Sequence, residues 1–212
     1  MLLRSGTDGL EILYLRRNPV LAFQGDHWVF PGGRIDPGDK AADVPADELA
    51  AARRAAVREA REEAGIAVPL SSLVYAIHWT TPTISPIRFA TSFFVARAPT
   101  DDVTVDGGEI HAFEWLRPTD ALARHRDHTF KLAAPTYALT TRVGAFNDVD
   151  RALAAVASWP KERLVGEIRK INGGRVALYH PDVAYGGGAL AEPGPRHRLW
   201  MVASGWRYER VF

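Results

Sequence analysis

The sequence predicts an α+β protein: a strand-rich chain with one long helix early and further helices later. Three observations carry this. Short runs rich in branched and aromatic residues recur along the chain, bounded by Gly and Pro. One stretch, from about Ala46 to Ala64, repeats small and apolar residues at helical spacing. And 212 residues of 47% hydrophobic composition are enough to bury a full core, while no run reaches the roughly 20 apolar residues of a membrane span.

In chain order, Leu10 to Arg17 (LEILYLRR) reads as a strand, and the stretch after it, punctuated by Pro19 and Gly25, as a loop. WVF, residues 28 to 30, is a short strand stopped by Pro31, and Gly32 and Gly33 open a turn. In the long helix Leu49, Arg53, Ala56, Ala60 and Ala64 lie close to one line, broadened by Ala52 and Val57. The alanines allow close approach to a sheet, and Gly65 stands just past the end. Two strands follow, in SLVYAIHWTTP and IRFATSFFVARA, with a turn near Thr83 to Pro86. IHAFEWLRP is a further strand, and PTDALARHR a helix with Thr119 or Asp120 near its start. Helices are predicted from Ala134 to Phe146 and from Asp148 to Trp159. GRVALYHPDV and RHRLWMVASGWRYERVF read as strands, the latter a hairpin turning at Ser204-Gly205, and YGGGALAEPGP as a loop. There is no internal repeat.

The net charge is +1 with mixed signs, so no basic stripe points to nucleic acid. Cysteine is absent, which excludes disulfides and thiolate metal sites. MLLRSGTDGLEILYLRR shows no long apolar core and no small-residue cleavage site. These features predict a cytoplasmic globular protein with neither a membrane nor a nucleic acid as partner.

The chemistry lies at the end of the long helix. Glu59, Glu62 and Glu63 stand at i, i+3 and i+4, so their carboxylates share a face, at a destabilising cost of roughly 0.2–0.5 kcal/mol per like-charged pair. They also occupy the last two turns, where the helix dipole favours cations. Arg58 offers relief to Glu62, four residues on, but one arginine does not neutralise three carboxylates. Charge runs of this kind are usually a solvated face. A cluster of hard oxygen donors is also what Mg²⁺ or Mn²⁺ requires, and the Gly32-Gly33 turn leaves backbone carbonyls open to a metal.

At these residues the sequence resembles the Nudix hydrolases. Arg58, Glu59, Ala60, Arg61, Glu62, Glu63, Ala64, Gly65 and Ile66 match the second half of the family's box without a gap, Ala60 being a weak apolar match. Gly33 fits the opening glycine, and Asp39 falls where the first glutamate stands. The spacing departs from the pattern: eighteen residues, 40 to 57, separate Asp39 from Arg58 where seven are usual, so eleven are extra. Glu48, nearer Arg58, is the other candidate for the first acidic role. The insert, HWTTP (His78 to Pro82), RFATSFF (Arg88 to Phe94) and GGEIHAFEWLRP (Gly107 to Pro118) resemble a subgroup similar to the mammalian peroxisomal coenzyme A diphosphatase and its bacterial relatives. The threonine-rich coenzyme A motif upstream of the turn is not visible. The resemblance covers roughly residues 1 to 146.

The resemblance implies a mixed sheet in an α/β/α sandwich over residues 1–146, with residues 147–212 as a C-terminal extension of helix and hairpin. It implies hydrolysis of a diphosphate linkage in a small nucleoside diphosphate derivative, with coenzyme A or its acyl forms leading and ADP-ribose, dinucleotides or nucleoside triphosphates as alternatives. A non-catalytic nucleotide-binding module is the other class. Gly33, Glu59, Glu62 and Glu63 would hold Mg²⁺ or Mn²⁺, and Glu62, Glu63, Arg58 and Glu109 would carry the catalysis. For substrate, Arg88 would contact phosphate, His78 and Trp79 would form an aromatic wall, and of the alternating Arg16 and Arg17 one, taken as Arg17, would face the site. His125, His128, His180 and His197 show no ligand spacing, and no Ser-His-Asp set, P-loop or dinucleotide fingerprint occurs. Trp200, Trp206 and Tyr208 are expected in the core or in a homodimer contact.

Overall fold

The computed structural model describes residues 1–21, 24–40, 47–82, 84 and 88–212. The strands and helices are β1 (Leu2–Gly6), β2 (Gly9–Arg17), β3 (Trp28–Val29), α1 (Glu48–Ala64), β4 (Val74–Thr80), β5 (Ala90–Arg97), β6 (Ile110–Leu116), α2 (Pro118–Arg126), α3 (Ala134–Val143), α4 (Val149–Ser158), β7 (Arg163–Val165), β8 (Glu167–Ile171), β9 (Gly174–Leu178), β10 (Arg196–Val202) and β11 (Gly205–Val211). They fall into two compact units. Residues 1–76 and 92–160 form the first, and 77–91 and 161–212 the second. The boundary expected at 146/147 lies inside the first unit, because α4 belongs with the body before it and the later parts of the β4–β5 excursion belong with the C-terminal strands.

The first unit is built on a mixed sheet. β1 pairs antiparallel with β2 and parallel with β5, and β2 also pairs with β3 and β6. Alternation in β2 makes the layers. Leu13 and Leu15 join a cluster with Ala60 and Ala64 of α1, so the small residues of that helix do bring it close to the sheet. Tyr14, pointing the other way, donates or accepts a 2.9 Å hydrogen bond with Thr140 of α3 and meets Phe130 edge-on. One helix on one face and α3 on the other give the expected α/β/α order. Leu49, placed by periodicity on the buried line, is 40% exposed, because it sits in the first turn of α1, ahead of the part that packs.

α1 begins at Asp47, whose carboxylate accepts from the amides of Leu49 and Ala50 at 3.0 and 3.1 Å. Its expected start at Ala46 lies outside the described residues. The helix ends at Gly65, at φ 71°, a left-handed turn that a side chain would strain. α2 starts without the side-chain cap expected from Thr119 or Asp120; its leading residue is Arg117, followed by Pro118. Of the turn expected at Thr83 to Pro86 only Ile84 is described.

β1 is the element that sequence periodicity does not pick out. Only five residues long, it is half polar (LLRSG), yet it lies between β2 and β5 with Leu3 fully buried. β7 and β8, three and five residues long, are equally unannounced.

The second unit holds a four-stranded antiparallel sheet in the order β11-β10-β9-β8, so the C-terminal hairpin is half of a sheet. Its connection is Ala203-Ser204, one residue earlier than expected, with Val202 opposite Gly205. Trp200 packs with Val176, Leu178, Ala184 and Leu190, which brings the segment after β9 over one face of the sheet. Arginines fasten that segment. Arg169 donates to the carbonyls of Ala184 and Gly188, and Arg198 to that of Leu190. Arg198 also makes a two-pronged pair with Asp182 at 2.6 and 2.7 Å, both side chains at most 1% exposed. Asp182 further accepts from the amides of Ala184 and His197. Burial alone would raise the Asp182 carboxyl, but Arg198 and the two amides outweigh it and hold it below its ordinary 3.8.

A depressed folded value means that the charged form contributes stability in full above pH 3.8, and loses it as pH falls through the folded value. Urea titrations at pH 7 and pH 3 should therefore show an acid loss in the wild type that is smaller in Asp182→Asn. At pH 7 that variant should be less stable by about 3–5 kcal/mol, because Arg198 is left buried and unpaired. Equal midpoints at pH 7 would contradict the assignment.

Candidate active site

The end of α1 is held by Arg58. Its guanidinium meets Glu59 at 2.9 Å, Glu62 at 2.7 Å and Asp39 at 3.0 Å, and donates to the carbonyl of Arg34 at 2.8 Å. The geometry decides between Asp39 and Glu48. Asp39 is 4% exposed in a short helical turn, takes two Arg58 nitrogens and the Asp36 amide, and offers its carbonyl to Arg54. Glu48 opens α1, ten residues and roughly 15 Å along the axis from Arg58. The extra residues follow Asp39, so the carboxylate keeps its place beside the arginine; residues 41–46 lie outside the described ones.

The glutamates then part company. Glu62 is 57% exposed and its carboxylate is turned to Arg58. Glu63, 5% exposed, accepts from the Gly32 amide at 2.8 Å. Glu59, its side chain 14% exposed, lies against Gly33, where a Cβ would collide with the Glu59 carboxylate. Glycine at 33 thus lets Glu59 keep this close approach to the turn. Glu109, 51% exposed, reaches Arg17 at 2.7 Å, and the Arg17 side chain is 17% exposed. Arg16, on the opposite face of β2, pairs with Asp26, so one of the two alternating arginines, Arg17, meets Glu109.

Burial above all, with the fields of Glu59 and Glu109 added and the Gly32 amide and Arg17 opposing, leaves the Glu63 carboxyl pushed up to about 8. Burial also raises Glu59, partly offset by Arg58. In both groups burial is the largest cause, so the charged carboxylates are costly to keep where they stand without an added cation.

Among the described residues no three carboxylates or histidines are drawn together closely enough to hold a metal ion. The donor set nevertheless fits a hard cation in kind: carboxylate oxygens of Glu59 and Glu63, one costly to keep charged where it stands, beside the Gly32-Gly33 turn.

A family model for the NUDIX domain matches residues 1–135. The chain belongs to the NUDIX family. NUDIX domains of known structure share its fold. A NUDIX hydrolase from Alicyclobacillus acidocaldarius is 21% identical, with a TM-score of 0.65 over 75% of this chain and 95% of that one. The NUDIX domain of Shewanella oneidensis NrtR, solved with ADP ribose, is 16% identical, with a TM-score of 0.50 over 66% and 79%. None of the curated proteins is a sequence match. The expected reaction class, a hydrolase acting on diphosphate bonds, accords with the NUDIX family and with relatives that carry the name NUDIX hydrolase.

The NUDIX box and Glu109 lie in the first unit. The other expected substrate contacts belong to the second. Trp79 is 6% exposed and edge-on to Tyr179 at 4.8 Å, so its ring is taken up in packing and is not presented as a wall. His78 is half-buried and lies opposite Arg163 of β7. Arg88 is exposed and donates to the Thr81 carbonyl. Asn18 and Asp106, which anchor the backbone of Glu109, were not legible as site residues; the only signal was the Asp-Gly-Gly turn at 106–108.

Gly33→Ala tests the close approach. The added methyl should force Glu59 out of its place while leaving the helix intact. Turnover of any diphosphate substrate should fall at least about tenfold, roughly 1.4 kcal/mol, with an unchanged circular dichroism spectrum. Wild-type rates in that variant would contradict a need for glycine.

Proposed function

We propose that the chain is a metal-dependent hydrolase that cleaves the diphosphate linkage of a nucleoside diphosphate derivative. The observation that carries the reading is the set of Glu59, Glu63, Glu109 and Arg17 beside the Gly32-Gly33 turn, all within the NUDIX domain. Glu59, Glu62 and Glu63, with the Gly33 carbonyl, would hold Mg²⁺ or Mn²⁺. When bound, such an ion neutralises the diphosphate and makes water a nucleophile near neutral pH.

The chain's own residues supply the rest. Asp39 anchors Arg58, and Arg58 orients Glu59 and Glu62 and offsets their charge. Glu63, fixed by the Gly32 amide, or Glu109 would accept a proton from the attacking water. Arg17 presents a guanidinium suited to a phosphate oxygen, and the departing phosphate is a good leaving group.

Coenzyme A or acyl-coenzyme A leads as substrate, on the likeness of HWTTP, RFATSFF, GGEIHAFEWLRP and the insert to that subgroup. ADP-ribose is the next choice, supported by the fold shared with the ADP ribose-bound NrtR domain. A non-catalytic binding module is disfavoured by the presence of all three box glutamates. The reading takes the partner as a small molecule in the cytoplasm and includes a homodimer through residues 196–212, which light scattering would reveal.

A panel of coenzyme A, ADP-ribose, a dinucleotide and a nucleoside triphosphate, each with Mg²⁺ or Mn²⁺ and scored by phosphate-containing products, tests the reaction class. Glu62→Gln and Glu63→Gln should each lower turnover at least about tenfold with the fold retained, since neutral amides are poor ligands for a hard cation. Normal rates at saturating Mg²⁺ in both variants would sink the metal assignment.

The cation should also raise the melting temperature, because binding to the native state stabilises by about 2.7 kcal/mol at a hundredfold excess over Kd. A melting curve unmoved by either ion would count against the site.

A further inference from the structure

Glu109 stands in the stretch Asp106-Gly107-Gly108-Glu109-Ile110 that leads into β6. Two glycines before a half-exposed glutamate would ordinarily leave its backbone free, at a large entropic cost to fixing it. Here the backbone is tied on both sides. The Asp106 carboxylate accepts from three consecutive amides, those of Gly108 at 3.2 Å, Glu109 at 2.8 Å and Ile110 at 2.9 Å. Gly107, at φ 73°, donates its amide to the Ile110 carbonyl at 3.1 Å.

From the end of β2, Asn18 closes the other side. Its side-chain amide donates to the Gly108 carbonyl, and its backbone amide to the Glu109 carbonyl, both at 2.8 Å. Every peptide N–H and C=O from Gly108 to Ile110 therefore has a partner. Asn18 is also the residue after Arg17, so the same strand end that anchors the Glu109 backbone presents the cation that meets the Glu109 carboxylate.

We infer that Asp106 is a positioning residue for the reaction. It fixes the backbone of Glu109 so that the carboxylate meets Arg17. Asp106 itself touches no reacting atom; its oxygens are spent on amides. The inference rests on the proposed function, in which Glu109 takes part in hydrolysis.

The test compares Asp106→Ala, Asp106→Asn, Glu109→Gln and the double variant Asp106→Ala/Glu109→Gln in the full chain. Coenzyme A and ADP-ribose with Mg²⁺ serve as substrates, and amide hydrogen exchange at Gly108, Glu109 and Ile110 as a second readout. Asp106→Ala should lower kcat at least about tenfold with KM changed less than about twofold. Asp106→Asn, which keeps one acceptor oxygen, should fall between. The double variant should be no slower than Glu109→Gln, because both changes remove one contribution. Exchange at the three amides should quicken at least about tenfold in Asp106→Ala and stay at the wild-type rate in Glu109→Gln.

Losses that multiply in the double variant, unaltered exchange in Asp106→Ala, or a wild-type kcat in Glu109→Gln would each overturn the inference. If the wild type cleaves neither substrate, the proposed function fails while the exchange arm still decides whether Asp106 fixes Glu109.

Discussion

A helix C-terminus repels carboxylates, and α1 ends with three of them. Arg58 makes that arrangement tolerable, and the site depends on it. One planar guanidinium faces several acceptors with five N–H donors in a fixed fork, where a lysine has three on a single nitrogen. Here it reaches Glu59, Glu62, Asp39 and a backbone carbonyl. The distribution is uneven. Glu62 and Asp39 are satisfied, Glu59 partly so, and Glu63 is left with a backbone amide and a burial cost. Burial is thus least compensated at Glu63.

Much of this was legible in the sequence. The i, i+3, i+4 glutamates, the Gly-Gly turn and Gly65 follow local rules of spacing and backbone freedom, and they stand where those rules put them. That at most one of Arg16 and Arg17 turns to the carboxylates followed from alternation, though alternation does not say which. Local rules failed where the cause was long-range. β1 is a strand because β2 and β5 flank it, and its five residues alone do not say so. Trp79 looked like a recognition surface because aromatic rings at strand ends often are; its burial against Tyr179 depends on a residue a hundred positions further on. Leu49 fitted the periodicity of α1, but periodicity marks a face and does not say how far along the helix that face is covered.

The second unit shows a different use of arginine. Its segment after β9 is rich in glycine and packs through Ala184, Tyr185 and Leu190. Arg169 and Arg198 hold its backbone carbonyls as well, with Asp182 securing Arg198. Buried charge is tolerated there because every oxygen of Asp182 has two donors.

Asp39 and Arg58 are nineteen positions apart, yet they touch. Their pairing makes the NUDIX box here a meeting of atoms with no fixed count of residues between them. Once two anchors are joined, a longer chain between them costs little, about 0.6 kcal/mol for each doubling of length. The interval between them can therefore be long while the arginine keeps its acid. A pattern that demands seven residues there would miss this chain, though its arginine and its acid still meet. What the pairing preserves is a distance in space and not a count of residues.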